Sequence, residues 1–111
     1  MPGPGRLRTA TVPSMELGVL YDFRNPPSSR IDPADLYRRT LDHVRAVEDL
    51  GFDTVWLTEH HFIDDDYLPS VLPMAAAVAA VTSRVTIGTA VLLLPLHDPL
   101  RVAEDAAVVD V

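Results

Sequence analysis

Three segments of strand character alternate with three segments of helical character, and this alternation constrains the fold more than any other feature of the sequence. The predicted strands span residues 15–21, 53–58 and 85–93, and they recur roughly every 35 residues. A helix between two strands acts as a crossover that makes the strands parallel and lies outside the sheet. The sequence therefore predicts an α/β fold with a parallel sheet.

Explicit signals mark where two helices begin and where one ends. Asp32 is suited to accept the first free backbone N–H groups of a helix, and Pro33 fits the first helical position, where no N–H is needed. Asp98 and Pro99 repeat this pattern before the third helix, which is predicted to run to the end of the chain. Gly51 stands where a left-handed residue closes the first helix.

The apolar residues predict which surfaces are buried. On the first helix they repeat at spacings of three and four, which predicts one face packed against the sheet. These residues are Tyr37, Leu41, Val44, Val47 and Leu50. The second helix, capped by Ser70 and running to about residue 81, is apolar nearly all round and is expected to be deeply buried. Trp56 and Phe62 are interpreted as core residues, and His43 as a structural one.

Composition excludes several classes of function. The chain has 111 residues, of which 48% are hydrophobic and 23% charged, a balance typical of one globular segment. It contains no cysteine, which removes disulfides, thiolate metal sites and cysteine nucleophiles. All nine basic residues are arginine, which removes lysine Schiff-base chemistry. The net charge of -7 disfavours binding to nucleic acid and to anionic membranes.

The first 14 residues are interpreted as a flexible tail. They contain three prolines and lack the continuous apolar core of a secretory signal. The longest apolar stretch, residues 71–81, is interrupted by Pro73 and is shorter than the roughly 20 residues that a membrane span requires. The cytoplasm is therefore the expected location.

Three strand–helix units are too few to complete the common parallel architectures. A (β/α)8 barrel uses roughly 250 residues, so residues 15–111 would supply about three of its eight units. An open doubly wound sheet needs about five strands and usually has a glycine-rich phosphate loop after the first strand. Here residues 25–29 read Asn-Pro-Pro-Ser-Ser instead. Residues 15–111 are therefore interpreted as an incomplete part of a larger domain.

Candidate functional residues follow the second and third strands, because the carboxyl ends of parallel strands gather at one edge of a sheet. The second strand delivers Glu59, His60 and His61 to this edge. A histidine there is suited to general acid–base chemistry near neutral pH, and it is equally suited to a purely structural hydrogen bond. A metal site that combines one of these histidines with the three following aspartates is disfavoured, because adjacent residues of an extended segment point to opposite faces. His97 beside Asp98 resembles an acid–base pair, but Asp98 serves better as a helix cap.

Two strings of residues resemble the bacterial luciferase-like flavin monooxygenase family. The first spans residues 50–62 and reads L-G-F-D-T-V-W-L-T-E-H-H-F. The second combines V-T-I-G-T-A-V at residues 85–91 with L-P-L-H-D-P-L-R at residues 94–101. The resemblance covers residues 15–111. It implies a TIM barrel that binds reduced FMN from a separate flavin reductase and uses O2 to oxygenate a small organic substrate.

The resemblance also implies roles for individual residues. His60 matches the catalytic histidine of the family, a hydrogen-bonding acid or base beside the flavin, with Glu59 and His61 as near neighbours. The family carries a non-proline cis peptide at the end of the third strand, against the flavin ring, and the matching bond is Ala90–Val91. A homodimer is implied in the same way. The cofactor contacts expected in this chain are Glu59, Thr89, Ala90 and Val91.

Two other hypotheses stay open. A related branch of the same fold uses a deazaflavin coenzyme for hydride transfer, and a truncated remnant or interaction module would bind no cofactor. The family's flavin-phosphate site and most of its substrate pocket lie in later barrel segments, so the isolated chain is expected to be inactive. The substrate is left open among long-chain aldehydes, alkanes, sulfonates and complex metabolites.

Overall fold

The structure, a computed structural model, describes residues 14–111, so the predicted flexible tail lies outside the described residues except for Ser14. Its three strands form one parallel sheet in the order β1-β2-β3, which confirms the predicted α/β fold. The elements are β1 Gly18–Tyr21, α1 Pro33–Asp49, β2 Thr54–Leu57, α2 Val71–Ala79, β3 Thr86–Thr89 and α3 Pro99–Val109, with short 3-10 helices at Pro27–Ser29 and Leu94–Leu96. No helix within residues 14–111 has the length and apolar character needed to cross a bilayer.

The core lies on the face of the sheet that the helices cover. On this face Val55 and Leu57 of the central strand β2 have no accessible surface. They belong to one buried cluster with Val44 of α1 and with Val71 and Val78 of α2. Burial of such a side chain contributes about 1.5–3 kcal/mol. Packing within this cluster therefore holds α1 and α2 against the sheet.

The opposite face of the sheet is uncovered within the described residues, and Trp56 lies on it. Trp56 is 40% exposed, and its indole passes over Gly88 of the neighbouring strand. A Cβ atom on Gly88 would lie 2.5 Å from Cζ3 of Trp56, so glycine is needed there to leave room for the ring. Nε1 of Trp56 donates to Oγ1 of Thr54 at 3.2 Å. The interpretation of Trp56 as a core residue is wrong here, because the indole occupies the face without helices.

The predicted helix boundaries at both aspartate–proline pairs are confirmed. Oδ1 of Asp32 accepts the backbone N–H of the third helical residue of α1 at 3.1 Å. Oδ1 of Asp98 accepts two backbone N–H groups of α3, at 2.9 and 3.1 Å. Gly51 follows α1 with a φ of 91°, a left-handed conformation that glycine adopts without steric cost. These caps fix where α1 and α3 start, and α3 begins just after the loop that follows β3.

The second helix is shorter and less buried than predicted. It ends at Ala79, and Ser70 holds the cap position without a side-chain cap hydrogen bond. Only Val71, Ala75 and Val78 are buried, because the sheet covers one side of α2 and leaves the other open. The predicted packing of Leu50 is also wrong: it is 77% exposed, since it caps α1 where the chain turns away from the core.

A carboxylate closes the amino end of the sheet. Glu48, in the last turn of α1, accepts the backbone N–H groups of Ser83, Arg84 and Val85 at 2.6–3.2 Å, just before β3 begins. The hydrogen bonds from Ser83 and Val85 outweigh the effect of desolvation, so the pKa of Glu48 is lowered. Glu48 thus joins α1 to the start of β3, and the guanidinium of Arg84 donates a further hydrogen bond to the backbone carbonyl of Glu48.

Candidate functional site

The carboxyl ends of β2 and β3 meet at one edge of the sheet, as the sequence predicts. The backbone N–H of Ala90 donates to the carbonyl of Leu57 at 2.7 Å, immediately after both strands end. The Ala90–Val91 peptide is cis, as the resemblance implies. The chain then leaves the sheet, so β3 is only four residues long instead of the predicted nine. This edge brings the segment after β3 next to the Glu-His-His segment after β2.

Glu59 is the centre of a hydrogen-bond cluster at this edge. Its side chain has no accessible surface. Its Oε1 lies 2.7 Å from Nε2 of His61, and its Oε2 accepts the backbone N–H of Leu93 at 2.8 Å. Nε2 of His97 lies 3.1 and 3.3 Å from the two oxygens. We call Glu59, His61 and His97 the carboxylate–imidazole cluster.

The environment keeps Glu59 ionised. Burial by itself would raise the pKa of the carboxyl. The hydrogen bonds from His61, from the backbone of Leu93 and from His97 together outweigh burial, and the pKa of Glu59 is lowered. An ionised carboxylate is an acceptor only, so every group that faces it must donate a hydrogen.

His60 points away from this cluster. Its side chain is exposed, and its ring centroid lies 5.3 Å from that of Tyr67. Its backbone N–H donates to the carbonyl of Leu68 at 3.0 Å. The imidazole lines a cavity of about 460 Å³ together with Leu36 and Tyr37 of α1 and other residues of the β2–α2 loop. His61 also lines this cavity, so the two histidines differ in their partners: His61 bonds to Glu59, and His60 packs on Tyr67.

The β2–α2 loop is tied to the β1–α1 loop by a partly buried polar network. Nε of Arg24 donates to Asp65 at 2.7 Å, and Nδ2 of Asn25 donates to Asp66 at 3.1 Å. Asp65 is 4% exposed, so this member of the aspartate run is buried in the network and not solvated. Phe62 is fully exposed with a φ of 60°, which corrects its prediction as a core residue.

The predicted cofactor contacts occupy different environments. Ala90 and Val91 are exposed at the edge, with Val91 53% exposed. Thr89 is in register with the buried Leu57 and lines a cavity of about 820 Å³ between α2, β3 and α3. Its side chain therefore faces the helix layer, and Glu59 has no surface for a ligand. Direct cofactor contact by any of the four residues stays a prediction.

Sequence reasoning missed the link between Glu59 and His97. The two residues are 38 positions apart, and only the placement of both at strand ends suggests that they meet. The predicted capping role of Asp98 is confirmed, which leaves His97 free of that partner and bonded to Glu59. His43, interpreted as structural, pairs with the hydroxyl of Tyr21 at 3.0 Å. Within residues 14–111, no group of three or more candidate ligands is arranged around a possible metal position.

Comparison with known proteins identifies the family. The model of the family described as luciferase-like monooxygenase matches residues 15–111. Among curated proteins, the alkanal monooxygenase alpha chain of the Kryptophanaron alfredi symbiont is 35% identical over 96 residues, which is 86% of this chain and 26% of that protein. The chain thus spans about a quarter of the length of this relative.

Solved structures show the same likeness. The monooxygenase RslO1 from Streptomyces bottropensis superimposes with a TM-score of 0.77 at 28% identity, over 86% of this chain and 29% of that one. The oxygenating constituent of 3,6-diketocamphane monooxygenase from Pseudomonas putida, solved in complex with FMN, superimposes with a TM-score of 0.70. It covers 83% of this chain and 25% of its own length, and at 20% identity it shows a likeness of fold alone.

Proposed function

Since the chain belongs to the luciferase-like monooxygenase family, we propose that it forms the amino-terminal part of a flavin-dependent monooxygenase that uses reduced FMN and O2 to oxygenate a small organic substrate. The observation that carries this proposal is the meeting of the Glu59-His60-His61 segment with the Ala90–Val91 peptide at the carboxyl edge of the sheet. In parallel α/β folds this edge is where ligands bind. A separate flavin reductase and a homodimer are part of the same proposal and rest on the family resemblance.

The exposed part of this edge fits a flat aromatic ring system. Ala90 and Val91 present small apolar side chains at the surface, and a planar ring can lie against such a segment without displacing a charge. The arginines nearest the edge are already engaged, Arg24 with Asp65 and Arg30 with Asp64. We therefore assign the ring contact to Ala90 and Val91, and the phosphate contact to parts of the barrel outside residues 14–111.

His60 is proposed as the catalytic residue of this chain. Its imidazole is exposed, lines a cavity and is stacked at an angle on Tyr67, so it is open to a bound molecule while its position is restrained. An imidazole in this place holds or moves a proton near neutral pH. The reduced flavin, when bound, would supply the electrons for oxygen activation.

Anaerobic titration of the complete natural polypeptide with reduced FMN and with a reduced deazaflavin coenzyme tests the cofactor. We expect tighter binding of reduced FMN. Tighter binding of the deazaflavin would move the proposal to the oxidoreductase branch of the fold. A folded polypeptide that binds neither would support the interaction-module hypothesis and overturn the enzyme proposal.

Replacement of His60 by alanine tests the catalytic role. We expect turnover to fall by about 10²–10⁴-fold, the usual contribution of a general acid or base, with little change in the melting temperature because the side chain is exposed. His43→Ala is the matched control, since His43 is also exposed and contacts Tyr21 instead of the candidate site. Equal turnover in the wild type and in His60→Ala would remove His60 from the mechanism.

A further inference from the structure

One buried carboxylate faces two imidazoles, and this fixes which nitrogen of each ring carries hydrogen. Glu59 is ionised and accepts only, so the Nε2 atoms of His61 and His97, at 2.7 and 3.1 Å from Oε1, must both be protonated. In a neutral imidazole the other nitrogen, Nδ1, is then an acceptor. The carboxylate–imidazole cluster therefore has two Nδ1 acceptors, and Glu59 determines that neither of them carries hydrogen.

Both Nδ1 atoms are available as acceptors within the described residues. The hydrogen bonds of His61 and His97 in residues 14–111 are made through Nε2, and none is made through Nδ1. The two side chains are 25% and 24% exposed, while that of Glu59 is 0% exposed.

We infer that Glu59 is a positioning residue that holds His61 and His97 in the Nε2–H tautomer, so that both rings present Nδ1 as an acceptor to a hydrogen-bond donor bound at the carboxyl edge. His97 thereby becomes part of the candidate site, alongside the histidines that follow β2. The tautomer assignment stands on the hydrogen bonds alone, whereas the use of the two acceptors during turnover rests on the proposed function.

Glutamine at position 59 gives a sharp test, because it has the same shape and a different hydrogen-bond pattern. The backbone N–H of Leu93 is a donor only, so the amide oxygen must take the place of Oε2. The amide NH2 then takes the place of Oε1 and faces Nε2 of His61, which must accept there and carry its hydrogen on Nδ1. Nε2 of His97 also lies 3.3 Å from the place of Oε2, so His97 can still donate to the amide oxygen and does not have to switch.

The tautomers are measured by long-range ¹H–¹⁵N NMR of the complete natural polypeptide without cofactor, at a pH where the imidazoles are neutral. Each signal is assigned by substitution of one histidine at a time. We expect Nε2–H forms for His61 and His97 in the wild type and an Nδ1–H form for His61 in Glu59→Gln. His43 and His60 are internal controls that should not change, because their contacts are with Tyr21 and Tyr67.

The wild-type spectrum alone is decisive even if the variant fails to fold. An Nδ1–H form of either His61 or His97 in the wild type overturns the inference, and so does an Nε2–H form of His61 that persists in folded Glu59→Gln. The role in turnover is read separately, as a loss of kcat of roughly 10²–10⁴-fold for a base held in the wrong tautomer. A polypeptide with the expected tautomers but no flavin-dependent activity would contradict the proposed function and leave the positioning role of Glu59 intact.

Discussion

The two ends of the sheet are each closed by a glutamate, and the partners of the two glutamates differ in kind. At the amino end Glu48 accepts three consecutive backbone N–H groups. At the carboxyl end Glu59 accepts one backbone N–H group and two imidazole N–H groups. In both cases the bonds to the carboxylate lower its pKa.

The difference separates a structural task from a chemical one. A backbone amide has a single hydrogen and no other function, so the bonds to Glu48 hold a loop in place and do nothing more. An imidazole has two nitrogens, so a carboxylate that accepts a hydrogen bond from one of them also determines whether the other carries hydrogen. Glu59 combines both tasks, because it anchors Leu93 and orients His61 and His97.

The largest expected effect on stability is that of Glu59→Ala. The substitution opens a hole in a fully shielded position and leaves the N–H of Leu93 without its acceptor, which costs on the order of 2 kcal/mol. Urea unfolding of the complete natural polypeptide measures this loss as a lower midpoint at an unchanged slope. Glu48→Ala is the matched control and should lose less, because the bonds of Glu48 lie in an exposed loop that water can reach.

Acidification should weaken both ends of the sheet. The pKa of Glu48 and that of Glu59 are lowered in the folded chain, so their contribution is fully present above the ordinary glutamate value of about 4.3. This contribution to stability is lost as the pH falls through the lowered pKa values that the two carboxyls have in the folded chain. The midpoint of urea unfolding, measured from neutral pH down to about 3, should therefore decrease below pH 4.3. The decrease should be shallower in Glu59→Gln and in Glu48→Gln, and equal slopes in all three proteins would show that neither carboxylate contributes.

The smallest effect on stability is expected for Glu48→Gln. The amide oxygen in the place of Oε1 keeps the three backbone N–H groups, while the NH2 group in the place of Oε2 faces the N–H of Ser83 alone. Hydrogen exchange should therefore accelerate at Ser83 and stay nearly unchanged at Val85. The tautomers of His61 and His97 and the affinity for reduced FMN should stay as in the wild type. Altered imidazole signals in this variant would mean that the two ends of the sheet are coupled.

Local signals in the sequence predicted most of the fold. The caps at Asp32 and Asp98 and the left-handed Gly51 act over a few residues, so their effect is visible in the sequence alone. Residue type was a poorer guide to burial, as Leu50 and Trp56 show. Whether an apolar side chain is buried depends on which elements cover it, and the spacing of apolar residues does not contain that information.

The candidate site was predicted only as far as its location. The rule that side chains gather at the carboxyl ends of parallel strands placed His60 and His97 at the same edge. The choice of partner was missed, because Glu59 and His97 are brought together by the sheet register and by the path of the chain after β3. Short motifs record neither of these.

Trp56, the single tryptophan of the sequence, lies across Gly88 on the face of the sheet that no helix of residues 14–111 covers. The emission of an indole depends on how much water surrounds it, and it moves to shorter wavelength as water is removed. The emission wavelength of Trp56 therefore reports how much water reaches that face of the sheet. Fluorescence alone should report, without any added label, when further strands or another protein surface close over the sheet.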